Sequence, residues 1–114
     1  MANDCIFCKI AAKEIPSALV YEDDQVAVFN DLEPQAPVHV LIIPKKHVAN
    51  VLGLKAEKEL AGHILGEVVP ALVEKLGLKD GFRLVANTGA QGGQTVMHLH
   101  FHLLGGRDMA WPPG

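Results

Sequence analysis

His98-Leu99-His100-Phe101-His102-Leu103-Leu104 is the segment on which the fold turns. Imidazole and apolar side chains alternate with the period of a β-strand. The three histidines therefore fall on one face, and Leu99, Phe101 and Leu103 on the other, facing a core. Read this way, a strand runs from Thr95 to Leu104 and stops at Gly105-Gly106. Three imidazoles on one exposed strand face do nothing for packing. Two chemical uses compete. The rings are ligands to a metal ion, since neutral imidazole is a common zinc ligand, or one ring is a nucleophile whose neighbours orient it and contact an anionic substrate. No outer carboxylate is apparent in the strand to support a three-histidine metal set.

Gly89-Ala90-Gln91-Gly92-Gly93-Gln94-Thr95 leads straight into this strand. Glycines let backbone N–H groups approach phosphate oxygens, and Gln94 and Thr95 add side-chain donors, so the loop reads as a phosphate cradle. Upstream, Phe82 to Ala86 reads as another strand and Asn87 to Gln94 as a loop. Leu19 to Asn30 reads as a hairpin turning at Glu22-Asp23-Asp24. Pro34 and Pro37 make Asp31 to Pro37 a loop, and Val38 to Ile43 is a β-branched strand stopped by Pro44. Leu60, Ile64, Val68, Leu72 and Leu76 recur every four residues. They predict one amphipathic helix from about Leu54 to Leu76, ended by Gly77 and kinked or broken at Pro70. Asp4 reads as the cap of a short first helix, about Cys5 to Ala12, with Cys5 and Cys8 on one face. These elements give an α+β chain with an antiparallel sheet.

The 114 residues are enough for one domain with a real core. A net charge of −3 and six aromatic residues (one Trp, one Tyr, four Phe) exclude a dedicated nucleic-acid binder. No export signal or membrane-length apolar run is visible, which points to the cytoplasm. Both cysteines, Cys5 and Cys8, stand in one C-x-x-C. In a reducing compartment that spacing suggests a metal site or a redox pair rather than a structural disulfide.

The histidine heptapeptide is similar to the signature of the histidine triad (HIT) family, three histidines each followed by an apolar residue. Further matches are Ile6-Phe7, Lys13-Glu14-Ile15-Pro16, Glu22-Asp23-Asp24, Pro34-Gln35-Ala36-Pro37, Ile43-Pro44-Lys45-Lys46-His47, Gly92-Gly93-Gln94, Gly105-Gly106-Arg107 and Trp111-Pro112-Pro113-Gly114. Together they resemble the Hint branch, the purine nucleoside phosphoramidases, over nearly the whole chain. The resemblance implies a single HIT domain over residues 1–114. Its fold would be α+β, with a five-stranded antiparallel sheet, two helices and a two-fold dimer with a continuous sheet.

It implies hydrolysis of the P–N bond of a purine nucleoside phosphoramidate, of AMP or GMP type, to a nucleoside monophosphate through a nucleotidyl-histidine intermediate. His100 would be the nucleophile, and an imidazole near its ordinary pKa of about 6.5 is largely neutral at pH 7. His102 would reach the phosphate oxygens, and His39 would hydrogen-bond the nucleophile and fix its tautomer. Thr95 stands where Hint proteins often carry Ser, and it keeps the hydroxyl. Asp31 and Leu32 match ribose and base positions; Asn87, Gly93 and Gln94 match the phosphate side. Ile6, Phe7 and Ile10 either wall the base pocket or are plain core. In Hint relatives the Trp111 tail reaches toward the neighbouring active site.

Catalysis of this kind needs no cofactor. Other HIT proteins bind structural zinc with a cysteine pair and two histidines, here Cys5, Cys8, His47 and His98, whereas Hint-like relatives fold without metal. The competing functional class is a non-catalytic nucleotide-binding interaction module. Neither class implies a nucleic-acid or membrane partner.

Overall fold

A computed structural model describes residues 5–114. The Asp4 cap expected above lies outside these residues. Helix α1, Ile6–Ala11, follows Cys5 as its N-cap, and the Cys5 Sγ accepts the Cys8 N–H at 3.3 Å. Strands β1, Leu19–Glu22, and β2, Val26–Asn30, form the expected hairpin. Its turn closes on Asp23, whose Oδ1 accepts the Gln25 and Val26 N–H groups at 2.8 Å each. Strand β3 is Val38–Pro44, β4 is Phe82–Val85 and β5 is Phe101–Gly105. All neighbours are antiparallel, in the order β1-β2-β3-β5-β4. The β1–β2 ladder carries a bulge between Leu19 and Tyr21.

Two expectations change in detail. The last strand begins at Phe101, not Thr95. β5 pairs with β3 down to Phe101 opposite Ile42, and β3 ends two residues later at Pro44, which has no N–H to donate. With no ladder to join, His98 turns its ring inward, Leu99 N–H donates to the Val48 carbonyl at 2.6 Å, and the three histidines do not share an exposed face.

The long helix is also subdivided. Val51–Ala56 is a 3₁₀ turn capped by Asn50, and Glu57 (φ −133°) interrupts the chain before α2, Lys58–His63. A π turn, Ile64–Val68, joins α2 to α3, Val69–Leu76. Within it the Val69 N–H reaches back five residues to the Ile64 carbonyl, so Pro70 enters the first turn of α3, where its missing N–H is tolerated. Gly77 ends α3 at φ +71°, a left-handed conformation that glycine adopts without a Cβ penalty.

The sheet is covered on both faces. Val26, Val28, Val40, Ile42, Phe101 and Leu103 pack against Ile64, Val68 and Leu72 of the long helix. On the other face Ala27, Phe29, Leu41 and Ile43 pack against Phe7 and Ile10 of α1. Strand alternation places His39 with Leu41, and His100 and His102 opposite Phe101 and Leu103. The chemistry therefore sits on the α1 side. No helix among the described residues is long and apolar enough to cross a membrane.

Candidate active site and metal centre

His100 is buried, 7% exposed, and its Nδ1 lies 2.8 Å from the His98 carbonyl oxygen. A carbonyl only accepts, so Nδ1 carries the proton and Nε2 holds the lone pair. Phe7 presses edge-to-face on this ring, with centroids 5.1 Å apart, and fixes its plane from the α1 side. His39 lies elsewhere than expected. Its Nε2 faces His102 Nδ1 at 2.9 Å, and the group that fixes the His100 tautomer is the His98 carbonyl.

The remaining protons follow from one backbone donor. Gln35 N–H donates to His39 Nδ1 at 3.1 Å, so His39 carries its proton on Nε2 and donates it to His102 Nδ1. His102 must then hold its own proton on Nε2. Burial, with the charges of His100 and His39, lowers the His102 pKa and keeps that ring neutral, against a smaller opposing pull from Asp31. Asp31 Oδ2 stands 3.4 Å from His39 Nε2, while its Oδ1 accepts the Glu33 N–H at 2.8 Å. Asp31, His39 and His102 are close enough to suggest a metal triad. The Gln35 hydrogen bond argues otherwise. A ring accepting at Nδ1 keeps its proton on Nε2, where a metal would need the lone pair. The trio is a hydrogen-bond relay.

The glycine loop differs from the cradle expected of it. Gln94 is buried and its amide is fully used, with Oε1 accepting Gly89 N–H at 3.0 Å and Nε2 donating to Ala49 O at 2.8 Å and Val96 O at 3.0 Å. Gly93 N–H donates to Ala90 O and Gln94 N–H to Gly89 O. These donors shape the loop rather than face a ligand. Gly92 is required sterically, since a Cβ there would stand 2.3 Å from the Thr88 carbonyl oxygen. Thr95 is exposed and lines a cavity of about 430 Å³ with Ile6, Val96, Met97, Cys5 and His47. Leu32 is almost wholly exposed and Asn87 half-buried. Phe7 and Ile10 are core, whereas Ile6 is exposed on the cavity wall.

His98 is fully buried. Its Nε2–H donates to the Pro44 carbonyl at 2.8 Å, which leaves the Nδ1 lone pair directed at Cys5 Sγ (3.3 Å) and Cys8 Sγ (3.4 Å). His47 Nδ1 stands 3.1 Å from Cys8 Sγ, and the four ligand atoms all lie within 4.8 Å of one another. Zinc at ordinary bond lengths in a tetrahedron sets S and N about 3.5 Å apart, so the donor set fits that ion. Burial, then the hydrogen bond to Cys5 and the charge there, push the Cys8 thiol up to about 11. That thiol stays protonated at neutral pH unless a cation displaces its proton. Burial holds the His98 pKa low, with the His47 and His100 charges acting the same way and the Pro44 hydrogen bond opposing, so the ring is neutral as a ligand must be.

Comparison with known proteins agrees with this layout. The sequence model of the HIT domain matches residues 12–109. An uncharacterized HIT-like protein from Synechococcus elongatus is 56% identical over 115 aligned residues, covering all of both chains. A 14 kDa zinc-binding protein from Brassica juncea is 50% identical, over 97% of this chain and all of its own. Among solved structures, a HIT family hydrolase from Legionella pneumophila superposes with a TM-score of 0.92 at 50% identity, covering 96% of this chain and 99% of that one. A histidine triad nucleotide-binding protein from Candida albicans gives a TM-score of 0.81 at 36% identity, over 95% and 82% of the two chains.

Proposed function

Since the chain belongs to the HIT family, we propose that it is a nucleotide hydrolase cleaving the P–N bond of purine nucleoside phosphoramidates by way of a nucleotidyl-His100 intermediate. One observation carries this reading: the His98 carbonyl holds the Nδ1 proton of His100, so the opposite nitrogen is a free lone pair. Attack by that lone pair on phosphorus places positive charge on the ring, and the Nδ1–H···O=C bond strengthens as it develops. His102 carries a proton on Nε2, kept there by the His39 Nε2–H bound to its Nδ1, and supplies it to the departing nitrogen. The P–N bond of the substrate breaks as the P–Nε2 bond forms, and the amine leaves. Water then attacks phosphorus and gives a proton to the bare Nε2 of His102, the P–Nε2 bond breaks, and a nucleoside monophosphate departs.

Thr95 keeps a hydroxyl for the leaving-group side, and Asp31 and Leu32 flank the relay where ribose and base would lie. Asn87, two residues past β4, would lie on the phosphate side, with Gly93 and Gln94 shaping the loop before Thr95. Cys5, Cys8, His47 and His98 would hold a structural zinc ion, which when bound supplies a cross-link between α1 and the segment preceding β5, outside the reaction itself.

The chain would act as a two-fold dimer. Leu65 and Phe82 are 48% and 43% exposed beside Val69, Pro70 and Val73, an apolar face next to the β4 edge of the sheet. In that dimer Trp111, exposed here, would approach the second copy's site.

The test is to incubate the protein with an adenosine phosphoramidate, quench early and seek a nucleotidyl adduct on the His100 peptide. An adduct in the native protein, and loss of both adduct and turnover in a folded His100→Ala variant, are expected. Nucleotide binding with no turnover would leave a non-catalytic binding module.

A further inference from the structure

His98 serves two sites at once. Its imidazole Nδ1 faces the Cys5 and Cys8 sulfurs, and its backbone carbonyl, 2.8 Å from His100 Nδ1, fixes the tautomer of the proposed nucleophile. A peptide carbonyl moves with the Cα that carries the ring. What holds the ring therefore also holds the acceptor on which His100 depends. Residue 98 lies before the β5 ladder begins, so strand pairing does not hold it. Its ring is fixed by the Pro44 carbonyl on one side and the cysteine pair on the other. Phe7, which braces both the His98 and His100 rings, belongs to α1, whose first turn is closed by Cys5.

We propose that Cys5, Cys8 and His47 are positioning residues for the hydrolytic reaction: binding zinc with the His98 ring, they lock the His98 carbonyl under His100 and so hold the nucleophilic tautomer. The proposal rests on the reading of His100 given above. The cluster is also reachable from outside. Cys5 and His47 line the cavity that Thr95 shares, so an ion or a chelator in solution has a path to it.

The experiment compares zinc-loaded protein with protein stripped by a chelator and then reloaded with zinc. Three quantities are read in each state. They are the ring-nitrogen NMR signature of His100 without substrate, the affinity for adenosine monophosphate, and kcat on an adenosine phosphoramidate. In the loaded protein His100 holds its proton on Nδ1. Stripping is expected to average the two tautomers and lower kcat by about tenfold or more, with nucleotide affinity changed by about twofold at most. Zinc restores both. If stripping unfolds the chain, as circular dichroism would reveal, His47→Gln replaces it, since His47 is exposed and its loss leaves three ligands in place.

A folded protein, stripped of zinc or carrying His47→Gln, that keeps the Nδ1–H tautomer and its kcat overturns the proposal and leaves the cluster a staple of the fold. If no phosphoramidate is turned over in any state, the reading of the activity fails. The tautomer measurement still decides the positioning role by itself.

Discussion

A single backbone N–H, that of Gln35, sets the proton on His39 and through it the proton on His102. His39→Ala removes the donor to His102 Nδ1, and the ring is then free to hold its proton on the wrong nitrogen. The expected loss is about a hundredfold in kcat with KM little changed, because the missing proton matters at the leaving nitrogen and not in ground-state binding. His39→Gln retains an N–H at that end of the side chain and should recover part of the loss in steady-state kinetics. Equal kcat in both variants and the native protein would remove His39 from the reaction.

At this scale the sequence displays His100 and His102 openly, since alternation with Leu99, Phe101 and Leu103 marks them out. It does not display which partner each ring takes. The pairing of His39 with His102 depends on the β3–β5 register, where Leu41 lies opposite His102. Phe7 was ambiguous in the sequence because a buried aromatic on a first helix looks the same whether or not a catalytic ring lies beneath it. Gln94 beside glycines looks like an anion donor, and only its burial against Ala49 and Val96 reveals a structural role.

Among the elements, the β1–β2 turn is tied to α2 by His63, whose Nε2 meets Asp23 Oδ2 at 2.7 Å while its Nδ1 meets Glu67 Oε1 at 2.8 Å. Asp23, then Glu67, raise the His63 pKa. For Asp23, burial pushes upward but is outweighed by hydrogen bonds from Gln25, His63, Val26 and Tyr21, so its pKa is lowered. A histidine with a raised folded pKa adds stability that is complete below its unfolded value of about 6.5 and vanishes as pH rises through the folded value. Asp23 adds stability above its own unfolded value of about 3.9, lost only as pH falls through the lowered one.

His63→Gln should therefore lower Tm relative to the native chain near pH 6, by about 1 kcal/mol or some 4 °C, and the gap should close by about pH 9. Calorimetry across that range checks it, and a gap that widens with pH would refute it. Element boundaries were legible where caps and periodicity spoke, as at Gly77. They were not where tertiary pairing decides, as at Phe101, or where Pro70 is absorbed by a π turn ending two residues before it rather than by a kink at the proline itself.

For the molecule as a whole, the order β1-β2-β3-β5-β4 leaves two margins with different chemistry. The β4 margin adjoins exposed Phe82 and Leu65, and the proposed dimer joins there. Charge placed on that face, as in the double variant Leu65→Glu, Phe82→Asp, should give a particle near 12.3 kDa by light scattering in place of one twice as heavy. An unchanged mass would place the contact elsewhere. The β1 margin is only four residues long and bulged, and Glu22 on it is held by Lys13 at 3.0 Å and Lys45 at 2.7 Å. Short length, a bulge and fixed charges discourage any further strand from adding. Growth of the sheet is thereby confined to one direction, and once two chains meet there the hydrogen-bonding template is exhausted. In the proposed dimer the product would be a closed particle, leaving concentrated protein no ready route to an open-ended fibre.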